Sequence, residues 1–160
     1  MKRVMLLGAI GLGLLSGCGK SAEDKMIGAC TGIAKISVAD PSSMVVNSAT
    51  ANQIQPTERS VSRFAGLYSN GELTGDQKAA LDIKIKDVSK FKESYAEIDF
   101  TDKSLGARRY KAVCWFMDTG RGFELGSVSV AGKSYSGVGL IALFVNNAKP
   151  PYLNSSNIIE

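Results

Sequence analysis

Ser94-Tyr95-Ala96-Glu97-Ile98-Asp99-Phe100-Thr101 alternates apolar and polar side chains, with Ala96, Ile98 and Phe100 on one face and Tyr95, Glu97 and Asp99 on the other. A period of two is that of a strand with one buried face. Downstream, the turn-like stretch Thr101 to Ala107 leads into a second strand, Arg108 to Met117. Gly122 to Val130 makes a third, and Ala131-Gly132 marks a turn after it. Gly137 to Asn147 is apolar but far too short to span a bilayer, so it is a buried strand or a short helix. Upstream, Met26, Ile27, Cys30, Ile33 and Ala34 recur at helical spacing, predicting an amphipathic helix over about residues 22–37. Ser21 stands at its N-cap, Glu23 and Asp24 suit its positive end, and Asp40-Pro41 stops it. Met44 to Ala51 reads as extended. Residues 52–74 are polar and turn-rich, with a loose hairpin around Asn70-Gly71. Thr74 and Gln77 match a capping box, which favours a helix from about 75 to 88 over the strand-like alternation of Leu81 to Lys86.

The N-terminus has a different chemistry. Met1-Lys2-Arg3 is a positive n-region, and the twelve residues from Val4 to Leu15 carry no polar side chain. That run is too short for a membrane span, which needs about 20 apolar residues, but suits a signal-peptide core. It closes on Leu15-Ser16-Gly17-Cys18, where small residues fit a peptidase cleft and a thiol offers a nucleophile. The tetrapeptide resembles the lipobox of bacterial lipoproteins. The resemblance implies cleavage before Cys18, lipid on the Cys18 sulfur (acyl chains such as palmitate), and membrane attachment in the cell envelope, facing the periplasm. Residues 1–17 are then the signal peptide, 18–21 the lipid anchor and tether, 22–149 a single α+β domain, and 150–160 a loose tail.

Removing 17 residues from 160 leaves 143, enough to bury one core. Of the 19 cationic side chains, 17 remain against 15 acidic ones, so no nucleic-acid partner is expected despite a pI near 9.0. With Cys18 lipidated, Cys30 and Cys114 remain. In an oxidising compartment an even pair reads as a disulfide, and two buried free thiols are the alternative. The bond would close a loop of about 85 residues and stabilise by roughly 4 kcal/mol. If Cys114 points at the helix carrying Cys30, so do Tyr110, Ala112 and Phe116. The expected fold is therefore α+β: an N-terminal helix disulfide-linked to a small antiparallel sheet, in two layers.

Gly19-Lys20-Ser21 does not complete a phosphate-binding loop, because the required glycine five positions before Gly19 is Leu14 and no strand precedes it. As a sorting signal, the absence of Asp after Cys18 predicts the outer membrane. Gly-Lys-Ser there also resembles the start of efflux-pump adaptor lipoproteins of pseudomonads, which implies the inner one; the outer membrane is favoured. The chain has no histidine, so imidazole bases and histidine-rich metal sites are excluded. No cofactor is expected beyond the lipid on Cys18. Glu97 and Asp99 lie roughly 7 Å apart by strand rise, a spacing used in glycoside hydrolysis. On an exposed face such a pair is more simply solvated. Asp118 and Glu124 flank a turn and suit solubility better than calcium.

Opposite Cys114 on the second strand lie Arg109, Lys111, Val113, Trp115 and Met117. If exposed, this stripe is a partner-binding site, since Trp and Arg are enriched at interface hot spots. If the 75–88 helix or the 137–147 segment covers Trp115, it is core. Ser104-Leu105-Gly106-Ala107-Arg108-Arg109-Tyr110 is similar to the Ser-Gly-Ala-Arg-Tyr segment of periplasmic lysozyme-inhibitor lipoproteins, with an extra leucine and arginine. The leading expectation is a non-enzymatic envelope module that binds a protein partner or supports an assembly. An inhibitor acting through loop 101–109, and a hydrolase using Glu97 and Asp99, are the alternatives.

Overall fold

A computed structural model describes residues 19–68, 74–76, 78–79, 82, 87–104 and 106–160. Its centre is an antiparallel meander of five strands in sequence order: β1 (Met44–Ile54), β2 (Lys92–Asp102), β3 (Arg108–Asp118), β4 (Phe123–Val130) and β5 (Lys133–Ser136). Three helices lie wholly within the described residues, α1 (Ala22–Ile36), α2 (Glu58–Ala65) and α3 (Val138–Val145), and the class is α+β. The alternation of β2 works as its sequence dictates: Ala96, Ile98 and Phe100 are fully buried. They pair with Cys114, Ala112 and Tyr110 on β3.

A complete capping box starts α1: the Ser21 hydroxyl accepts from Asp24 N–H while the Asp24 carboxylate accepts from Ser21 N–H. Met26, Ala29, Cys30, Ile33 and Ala34 form its buried stripe. Cys30 and Cys114 are joined by a disulfide across 5.8 Å between Cα atoms, stapling α1 to β3. The main core lies between α1 and this face of the sheet, with Phe116, Leu125, Val128 and Val130 completing it. Leu140 of α3 enters the same cluster, so the 137–147 segment, open between strand and helix, is a helix.

Three expectations are corrected or bounded. The turn-rich stretch 52–74 contains α2, whose Thr57 and Ser60 form a reciprocal cap. Only Val61 and Phe64 are buried on it, an apolar pattern too brief to register among five polar neighbours. Of the expected 75–88 helix, Gly75, Asp76, Lys78, Ala79 and Asp82 are helical, while Asp87 and the short 3-10 turn Val88–Lys90 are not α-helix. The rest of that segment and the Asn70-Gly71 hairpin lie outside the described residues, as do Cys18 and the signal segment. The tail 150–160, expected to be loose, is docked. Leu153 and Asn157 are buried, the Asn157 carbonyl accepts from Leu125 N–H, and Ile159 N–H donates to the Phe123 carbonyl.

Candidate functional site

The stripe opposite Cys114 divides in two. Arg109 and Lys111 are exposed and Val113 is half-buried, but Trp115 and Met117 are 3% and 0% exposed. Of the two expected segments, 137–147 contributes nothing to this cluster among the described residues, while Val88 at the end of 75–88 packs against it. Among the described residues α2 supplies the buried cover, in a second cluster of Val61, Phe64, Trp115 and Met117 on the face away from α1, with Leu67, Val88, Phe91 and Tyr95 packed around it. The Phe64 ring meets Trp115 edge-on at 5.8 Å, and the Arg63 guanidinium lies 4.9 Å above the indole. Gly126 makes room for this pair, since a Cβ there would stand 2.9 Å from the indole and 3.0 Å from the Phe64 ring. Trp115 Nε1 donates to the buried Glu93 carboxyl at 2.8 Å, and the Tyr95 hydroxyl donates to the same oxygen. Burial and that hydrogen bond push Tyr95 up to about 12. Trp115 and Met117 are therefore corrected to core.

The open remainder of that face carries a ladder of ion pairs. Lys111 bonds Glu97 at 2.9 Å, and Arg109 bonds both Asp99 oxygens through Nε and one through its terminal nitrogen. The Arg109 hydrogen bonds, with that of Asn47, hold Asp99 down at about 2. A carboxyl held there accepts hydrogen bonds and is no general acid at neutral pH. Glu97 and Asp99 thus each face a cation on an exposed sheet surface. In loop 101–109, Asp102 accepts from Ser104 N–H and from the Ser43 hydroxyl, folding the turn back on the sheet; Leu105 lies outside the described residues. Asp118 closes its own turn by accepting from the Gly120 and Gly122 amides, and Glu124 pairs with Arg121 at 3.6 Å. Among the described residues no cluster of three or more metal-ligating side chains is present.

Three surfaces were not anticipated. The first is a groove of about 620 Å³ along the outer side of α1, lined in part by Lys20, Asp24, Lys35 and Tyr152. It exists because Gly28 and Gly32 let the tail approach: a Cβ at Gly28 would sit 2.5 Å from the Tyr152 ring, and one at Gly32 would sit 2.8 Å from Pro151. The Lys20 ammonium donates to the Tyr152 hydroxyl, which holds the lysine above its ordinary value. The Gly-x-x-x-Gly spacing was the available signal. The second is the solvent face of α3, where Val138, Ile141 and Val145 are 66%, 49% and 76% exposed. The third is the outer edge of β1, which among the described residues pairs with no strand.

An open edge presents a row of unpaired N–H and C=O groups, and proteins normally blunt it with charge, proline or brevity. β5 follows that rule, with four residues beginning at Lys133. β1 runs for eleven residues, Met44-Val-Val-Asn-Ser-Ala-Thr-Ala-Asn-Gln-Ile54, without a charge or a proline. Its one irregularity is a shift between Val46 and Ser48, where the intervening Asn47 amide donates to Asp99 and Thr101. Comparison with known proteins brings no match: no family model, curated protein or solved structure resembles this chain significantly.

Proposed function

We propose that the chain is a lipid-anchored envelope protein whose stapled domain binds an extended segment of a protein partner by adding it to the β1 edge. The anchor rests on the lipobox-like Leu15-Ser16-Gly17-Cys18, with Gly19, Lys20 and Ser21 as the whole tether before α1. The layering is α1 on one face of the sheet, with α2, among the described residues, capping the Trp115 end of the other. The observation that carries the binding role is the uncharged β1 edge, in contrast to the opposite β5 edge, which is short and begins with a lysine. Backbone hydrogen bonds along such an edge supply affinity, and alternate side chains, here Val45, Ser48, Thr50 and Asn52, supply selectivity. Arg109 and Lys111 stand two strands away on the same face, as rim cations. The lipid raises the domain's effective concentration toward partners on the same surface. The role is non-enzymatic, the facing membrane surface is periplasmic, and the outer membrane is the favoured site.

The test is site-specific photocrosslinking in cells at Val46, Ser48 and Thr50, with Ser134 on β5 as control. Adducts at β1 alone are the expected result. Equal adducts at Ser134, or none at β1, would sink the strand-addition role. Intact mass of the cell-derived protein tests the anchor independently: residues 1–17 still attached, or an unmodified Cys18, would remove it.

A further inference from the structure

We infer that α3 is a second membrane contact, its Val138, Ile141, Ala142 and Val145 stripe lying at the boundary between headgroups and acyl chains beside the Cys18 lipid. The inference rests on the lipoprotein reading above. α3 reads Val-Gly-Leu-Ile-Ala-Leu-Phe-Val, with no polar side chain in eight residues. Leu140 fills the core, and Leu143 and Phe144 pack against it. Apart from half-buried Gly139, the remaining residues Val138, Ile141, Ala142 and Val145 fall at i, i+3, i+4 and i+7, one continuous stripe, and all four are exposed. A helix on a water-bathed surface carries polar residues at those positions. Among the described residues no helix is long and apolar enough to cross a membrane, so α3 lies in the interface rather than spanning it.

The tether supplies the reason for bilayer rather than another occupant. Gly19 to Ser21 reaches at most about 11 Å when fully extended. A domain of this size has a radius of gyration of roughly 14 Å. Held on so short a leash, the domain cannot clear the headgroups, and one of its surfaces must press on them. α3 is strapped to the leashed end: Pro150 and Pro151 pack against Gly32, Tyr152 against Gly28, and the Tyr152 hydroxyl bonds Lys20, two residues from Cys18. From Val145 to Tyr152 the chain spans at most about 25 Å. The connecting segment carries Lys149, whose ammonium lies 5.8 Å over the Phe144 ring, and Lys20 and Lys35 line the adjacent groove. An apolar stripe with cations beside it matches the polarity of an anionic bilayer surface.

Nitroxide labels on the lipidated protein test this. With Cys18 acylated and Cys30 bonded to Cys114, a new cysteine is the single free thiol. Ile141→Cys, Val145→Cys and the control Ser134→Cys are each reconstituted in vesicles of phosphatidylethanolamine and phosphatidylglycerol. The expected result is a collision ratio of oxygen to aqueous nickel relaxant several-fold higher at 141 and 145 than at 134. Equal ratios at all three sites overturn the inference. Dipolar broadening between labels at 141 in detergent assigns the stripe to a second copy, and also overturns it. Mass measured on the same samples shows whether Cys18 is acylated, so failure of the anchor is distinguished from failure of α3.

Discussion

Replacing Trp115 with alanine distinguishes a core tryptophan from an interface one. Its indole is 3% exposed, packed edge-on by Phe64 and hydrogen-bonded to the buried Glu93. Truncating a buried tryptophan to alanine costs about 3–5 kcal/mol in transfer and cavity terms. Removing the indole N–H takes one of two donors from Glu93, which adds about 1 kcal/mol because Tyr95 still satisfies that oxygen. The loss, on the order of 4–6 kcal/mol, is a large part of the 5–15 kcal/mol typical of a domain. At a urea slope of about 2 kcal/mol per molar, the midpoint falls by roughly 2–3 M. Trp115→Phe keeps most of the volume and loses the hydrogen bond, so its midpoint falls by about 1 M. The assay is urea unfolding followed by far-ultraviolet circular dichroism, since Trp115 is the single tryptophan of the chain. A Trp115→Ala midpoint within 0.5 M of the parent (roughly 1 kcal/mol at that slope) would refute the packing of α2 on β3. It would return Trp115 to the exposed stripe.

Replacing Cys30 and Cys114 by alanine removes a bond between residues 84 positions apart and destabilises by roughly 4 kcal/mol in the chain-entropy model, seen as a lower urea midpoint. Asp99 is held at about 2 chiefly by Arg109. Its native value lies below its unfolded one, so its stabilisation is present above about pH 4 and is lost as pH falls toward 2. Carboxyl-carbon NMR shows this directly, and Arg109→Gln returns Asp99 toward its ordinary value. Tyr95 shifts the other way, to about 12, so its contribution is complete below pH 10 and is lost as pH rises to 12. Absorbance at 295 nm then shows a late tyrosine step near pH 12 that Tyr95→Phe abolishes. Gly28→Ala with Gly32→Ala raises the intrinsic helix propensity of α1 by up to about 1 kcal/mol per site. It nevertheless forces Pro151 and Tyr152 away, since the new Cβ atoms would stand 2.8 Å and 2.5 Å from them. Faster hydrogen exchange at the Glu160 amide, which donates to the Tyr152 carbonyl, reports the displaced tail.

Local pattern was enough for much of this protein. The alternation of 94–101, the apolar stripe centred on Cys30 and the cysteine count led to the α+β class and the Cys30–Cys114 bond. Each depends on a periodicity confined to one element, or on a redox rule that needs only composition. The lipobox-like segment is likewise a local signal, legible before any fold exists. Covering relationships were decided by tertiary structure. Trp115 has the same neighbours in sequence whether α2 lies on it or not, and α2 itself reads as polar loop because two buried side chains suffice to dock it. The tail looked loose because Pro150, Pro151 and Tyr152 show no periodicity; their docking depends on two missing Cβ atoms on a helix more than a hundred residues away. The edge of β1, which pairs with no strand among the described residues, and the exposed stripe of α3 are visible only once neighbours are placed in space. An exposed surface is a statement about what does not pack there, and packing is a property of the whole chain in three dimensions.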